Sequence, residues 1–114
     1  MKDFLIIIAL LLIPNLTFAA TANAVKLSGA KPILVDIDET NLLLDVKKLK
    51  KKINKNTKAI IAVHISGRGS NIIKLKQISK KYKIKLIEDA AEAFASKYNN
   101  KSLGTFGEIG CFSF

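Results

Sequence analysis

Two kinds of hydrophobic pattern alternate along the chain. The segments "PILVDID", "KAIIAVH" and "IKLIED" carry unbroken apolar runs bounded by polar residues, too short for helices and predicting buried strands, one of them over Ile84 to Ile87. Between them, "DVKKLKKKI" and "SNIIKLKQISKKY" place Val46, Leu49 and Ile53, then Ile72, Leu75 and Ile78, at helical spacing among lysines. Each predicts an amphipathic helix with a solvated outer face. In "LTFAATANAVKLSGAKP", Thr17 is a candidate N-cap, the alanines continue a helix and Gly29 stops it. Ser70 is the candidate cap of the later helix, and Ala90 onward reads as a tight turn or helix start. The closing "GEIGCFSF" alternates small and apolar residues as a last strand.

Alternating strands and helices, with strands apolar on both faces, predict an α/β fold: a mostly parallel sheet in three layers, helices on both faces. Ligands of such sheets bind outside the carboxyl ends of the strands. The residues falling there are Asp36, Asp38, His64, Asp89, Glu92 and those after Gly110. The apolar run from Phe4 to Ile13, with a short charged front and small residues after it, resembles a secretory signal peptide. It is too short for a membrane span of about 20 residues, and a buried strand leading into a helix fits the same letters.

Composition narrows the function classes. The 114 residues allow one small domain or part of a larger one, and 49% hydrophobic content implies a packed core. The net charge of +10 comes almost wholly from lysine: Arg68 is the only arginine and tryptophan is absent. Nucleic-acid surfaces rely on arginine and stacking aromatics, so no nucleic-acid partner is expected, and no membrane. A single cysteine, Cys111, and a single histidine, His64, give neither an internal disulfide nor a soft metal cluster.

Individual residues carry two readings each. Asp89 and Glu92, three apart, reach one crevice if a helical turn begins at Ala90, but first-turn acids also simply favour a helix N-terminus. His64 closes a strand and suits a hydrogen-bonded structural role as well as a chemical one. The loop "SGRGS" can cradle an anion on backbone amides or merely reverse the chain. Ser113 alone is an ordinary strand serine.

Taken in order, "LTFAATANAVKLSGAKPILVDID", "NTKAIIAVHISGRG", "KLIEDAAEAF" and "GTFGEIGCFSF" resemble consecutive motifs of the DegT/DnrJ/EryC1/StrS family of sugar aminotransferases, from about Pro14 to Phe114. The resemblance implies pyridoxal 5'-phosphate as cofactor and part of a large domain of the aspartate-aminotransferase type, the type I fold of such enzymes. It also implies a nucleotide-linked keto sugar as substrate, an amino-acid donor, a homodimer and a cytoplasmic location. By that resemblance Asp89 pairs with the cofactor's pyridine nitrogen and Phe18 stacks on the ring. Glu92 stands where the family commonly has Gln or His near the ring hydroxyl, Ser113 bonds the phosphate, and His64 borders the same site.

The family's catalytic lysine lies five positions after that serine, past Phe114. The glycine-rich segment before the first motif and the small domain also have no counterpart here. Residues 1–114 thus read as an internal piece of the large domain, inactive alone. A second reading is a dehydratase of the same superfamily, with histidine in place of the lysine. A third, from a different class, is a small basic secreted protein without catalysis, which requires the apolar start to act as a true signal.

Overall fold

A computed structural model describes residues 8–114. Its elements are β1 (Leu10–Pro14), α1 (Ala19–Leu27), β2 (Lys31–Val35), α2 (Val46–Lys52), β3 (Thr57–Val63), α3 (Ile72–Tyr82), β4 (Lys85–Asp89), the short β5 (Lys97–Tyr98) and β6 (Lys101–Ser102), and β7 (Ile109–Cys111). Five strands form one sheet in the order β2-β1-β3-β4-β7, and all four pairings are parallel. The apolar start is therefore partly accounted for: Leu10–Pro14 is an interior strand, with Leu12 and Ile13 fully buried. The preceding Lys2, Asp3 and Phe4 to Ile7, on which the signal-peptide reading also leaned, lie outside the described residues. No described helix is long and apolar enough to cross a membrane.

Successive strand side chains point to opposite faces, and the core divides accordingly. Leu12, Ile60, Ala62 and Leu86 pack with Leu49 of α2 and with Ile72, Leu75 and Ile78 of α3. Ile13 and Ile61 pack with Val25 of α1, flanked by Leu11, Val63 and Ile87. The three-layer arrangement is thus present, with α1 on one face and α2 and α3 on the other. The helical spacing of Val46, Leu49 and Ile53 also holds: Leu49 is buried while Val46 and Ile53 pack at the edge of that core.

Local signals at the helix starts resolve differently. Phe18, not Thr17, is the N-cap of α1, and no side chain caps it; the Thr17 hydroxyl is taken up 2.7 Å away by that of Thr21. Asn71, not Ser70, precedes α3; the Ser70 amide donates to His64 Nδ1 at 3.0 Å and its buried hydroxyl caps nothing. Asp45 does cap α2, accepting from the amides of Lys47 and Lys48. After Ala90 there is no helix. Two successive turns, Ala93 N–H to Ala90 C=O at 2.9 Å and Ser96 N–H to Ala93 C=O at 3.0 Å, are stopped at Ala95, whose φ is +65°. The α1 stop at Gly29, φ +85°, is as expected.

Candidate functional site

Alternation along β4 decides where its two terminal acids go. Glu88 follows Leu86 toward the α2 and α3 layer, and Asp89 follows Ile87 toward the α1 layer. On the α1 side lies a cavity of about 800 Å³, within the range of small-molecule sites. Its walls are largely apolar (Leu11, Val25, Ile61 and Ile87), and Phe18, Thr21, Asp89, Glu92, Cys111 and Ser113 are among its other lining residues. The four residues that the family resemblance singles out most directly therefore border one space, and β4 is flanked on both sides by other strands. Phe18 is 70% exposed, an aromatic face left free at the start of α1.

The Asp89 carboxylate is anchored but not saturated. Oδ2 accepts from the Thr21 hydroxyl at 2.9 Å and Oδ1 from the Ala91 amide at 3.2 Å. Two oxygens offer about four acceptor positions, so capacity remains for a donor in the cavity. Thr21, a residue the motifs did not flag, is thus the side chain that orients Asp89; its sequence signal was only a polar residue inside an alanine-rich helix, and its burial shows in the structure. The Glu92 carboxylate accepts the Ser66 amide at 2.7 Å. In the "SGRGS" loop only the Ser66 amide, at φ +51°, meets an acid, this side chain; the amides of Gly67, Arg68 and Ser70 bond to His64 and Ile65, as a chain-reversing turn does.

His64 is close in sequence to this rim and apart from it in space. Its backbone N–H reaches the Asp89 carbonyl at 3.1 Å, but its ring is fully buried on the other face and is not among the cavity's walls. Nδ1 accepts the Ser70 amide at 3.0 Å, so Nε2 carries the ring proton and donates it to Glu88 Oε1 at 2.8 Å. A side chain so engaged is the structural histidine, and its assignment as a cofactor contact is corrected. Asp36 and Asp38 also stand apart. Asp36 pairs with Asn15 and Lys48. Asp38 accepts from the hydroxyl and amide of Thr40, bonds that hold its carboxyl below the usual value.

Glu88 is the residue that pattern reading passed over. Fully buried, it accepts from His64 and from three backbone amides: Gly104 at 2.8 Å, Phe106 at 2.7 Å and Gly107 at 2.8 Å. Burial, the largest single influence, pushes its carboxyl up, but the bonds from His64, Gly107, Gly104 and Phe106 together outweigh it and hold the group below its ordinary value.

A parallel sheet with its cavity beside an interior strand's carboxyl end is an α/β arrangement, and solved pyridoxal-phosphate aminotransferases share it. The structure superposes on Helicobacter pylori PseC, an aminotransferase involved in the biosynthesis of pseudoaminic acid, with a TM-score of 0.90 and 29% identity, covering 99% of this chain and 30% of that one. It also matches the pyridoxal-phosphate form of a sugar aminotransferase from Streptococcus pneumoniae, described as putative, with a TM-score of 0.89 and 26% identity, over 93% of this chain and 31% of that one. Residues 9–114 match the model of the DegT/DnrJ/EryC1/StrS aminotransferase family, and the chain belongs to that family. Among relatives, GDP-perosamine synthase of Escherichia coli O157:H7 is 43% identical over 103 residues, 90% of this chain and 28% of its own length. The dTDP-3-amino-3,6-dideoxy-alpha-D-galactopyranose transaminase of Aneurinibacillus thermoaerophilus is 38% identical over the same shares. The chain spans under a third of the length of these relatives.

Proposed function

We propose that these residues form the cofactor-holding part of the large domain of an aminotransferase that moves an amino group from an amino acid onto a nucleotide-linked keto sugar. The observation that carries this reading is the gathering of Asp89, Phe18, Glu92 and Ser113 around one cavity by three separate segments of chain. Membership of a family whose relatives are sugar aminotransferases supports the substrate class.

The residues fit pyridoxal phosphate. Asp89 has free acceptor capacity for a protonated ring nitrogen, the exposed Phe18 ring offers a stacking face, Ser113 offers a hydroxyl to the phosphate, and the apolar walls suit a flat aromatic ring. When bound, the cofactor supplies an electron sink for the carbanion formed at the substrate. Asp89, oriented by Thr21, holds the proton on the ring nitrogen through a charge-assisted bond. Glu92, held by Ser66, sets the edge of the ring's seat, and the apolar surfaces of Ile61 and Ile87 keep water from its face.

No lysine is among the residues lining the cavity. The 114-residue chain alone should therefore show no transamination and no saturable visible absorbance from pyridoxal phosphate. In an enzyme of the family's full length, as a homodimer in the cytoplasm, the same residues would serve catalysis. The test is reduction with borohydride followed by peptide mass spectrometry. Stoichiometric cofactor trapped on one lysine of the isolated chain would overturn the division of labour proposed here.

A further inference from the structure

We propose that Glu88 is a positioning residue for the cofactor phosphate: by holding the Gly104–Gly107 turn it fixes the segment that presents Ser113. This rests on the cofactor reading above and extends it to a residue that does not touch the cavity. The Glu88 carboxylate occupies a nest of three backbone N–H groups, those of Gly104, Phe106 and Gly107. The rest of the turn is built to reach it. A Cβ on Gly107 would overlap the Leu86 carbonyl, and one on Gly110 would overlap the Gly104 carbonyl. Only glycine permits these approaches.

From the nest the chain has no slack before Ser113. Glu108 clamps β4 twice, its N–H donating to the Leu86 carbonyl at 2.8 Å and its carboxylate accepting the Leu86 amide at 2.7 Å. Gly110 then lies against Gly104, the Phe112 ring closes over Gly104, and the Cys111 carbonyl accepts the Ala90 amide at 2.8 Å. Residues on either side of the Ser113 approach are thus packed directly on the turn that Glu88 grips. Displacing the turn displaces Gly110 and Phe112, and Ser113 follows.

The device divides two jobs between neighbouring acids. Asp89 acts on the ring nitrogen from one face of the sheet, and Glu88, from the other, sets the hydroxyl that meets the phosphate. Linkage then requires the converse: a bound phosphate must steady the nest.

The test compares pyridoxal phosphate with pyridoxal, which lacks the phosphate, as ligands of the full-length enzyme and its Glu88→Gln variant. Glutamine has one acceptor oxygen for four donors. Expected is a loss of about 10- to 100-fold in affinity for pyridoxal phosphate, the worth of a hydrogen bond to a charged group, with pyridoxal affinity unchanged. A Ser113→Ala background should largely abolish that difference. Hydrogen exchange of the unaltered enzyme decides independently should the variant not fold: pyridoxal phosphate, but not pyridoxal, should slow exchange at Gly104, Phe106 and Gly107. Equal losses for both ligands, or equal exchange with both, overturn the proposal. Absence of saturable pyridoxal phosphate binding by the unaltered full-length enzyme would instead remove the cofactor reading itself.

Discussion

Glu88 and Asp89 are consecutive carboxylates on one strand, and their surroundings are opposite. Glu88 is fully buried with four hydrogen bonds from the protein; Asp89 is half-buried with two, facing an open cavity. The first has no capacity left for a ligand and the second retains some. The difference teaches that cavity exposure and unspent hydrogen-bonding capacity go together here: a saturated, buried carboxylate organises its own chain, and an unsaturated one facing a cavity is available to something else.

The comparison breaks most visibly at Glu88. Glu88→Ala leaves three backbone amides and the His64 ring proton without an acceptor, and should cost about 3–5 kcal/mol in denaturant unfolding of the protein, as breaking a buried pair does. Asp89→Asn should do the reverse. Asparagine keeps an acceptor for Thr21, so stability should change by less than about 1 kcal/mol, while kcat falls by about 10²- to 10³-fold for want of a charge opposite the ring nitrogen. A variant at Asp89 that unfolds the protein, or one at Glu88 that spares its stability, would reverse the assignments.

Acid sharpens the same contrast. The Glu88 carboxyl sits below its ordinary value of 4.5 when folded, so its stabilising contribution is complete above the unfolded value and is lost as pH falls through the lower folded one. Melting curves should show Tm falling below about pH 4.5, a fall that Glu88→Gln flattens. The smallest effect is expected at Glu92→Gln. Its amide oxygen can still accept the Ser66 amide, so kcat and KM should each stay within about threefold in steady-state assays.

Much of this was legible in the sequence, for reasons that differ by element. The strands showed because parallel strands buried on both faces must be apolar throughout, and α2 and α3 showed because Leu49, Leu75 and Ile78 recur with the helix period. Asp89 and Glu92 were legible as acids at a strand's carboxyl end and Ser113 as one of the residues after Gly110, whereas Phe18 came only through the resemblance to a family. Glu88 was not legible, since its partners lie 24 residues upstream and 16 to 19 downstream, and no local pattern records such contacts. Thr17 and Ser70 each misled by one position: the cap residues are Phe18 and Asn71, neither of which caps through its side chain, and the Thr17 hydroxyl bonds locally to Thr21 instead. The β5–β6 hairpin was missed although its signal was present. Asn99 and Asn100, at φ +46° and +62°, are residues that tolerate the left-handed turn such hairpins require.

The order of strands has a consequence for how the chain is made. Of the five described strands of this sheet β1 comes first in the sequence, yet it lies inside, between β2 and β3. Parallel partners are separated by a crossover connection, so Leu10–Pro14 emerges before either of its partners, Lys31–Val35 being the nearer in the chain. Its inner side is open until Thr57–Val63 arrives. Throughout that interval an apolar, uncharged segment with free backbone groups is in solution, the composition from which intermolecular β-pairing starts. Slow, non-local closure of this kind makes yield a race between folding and association, so recovery of soluble protein should depend more on the rate and temperature of synthesis than on the stability of the finished sheet.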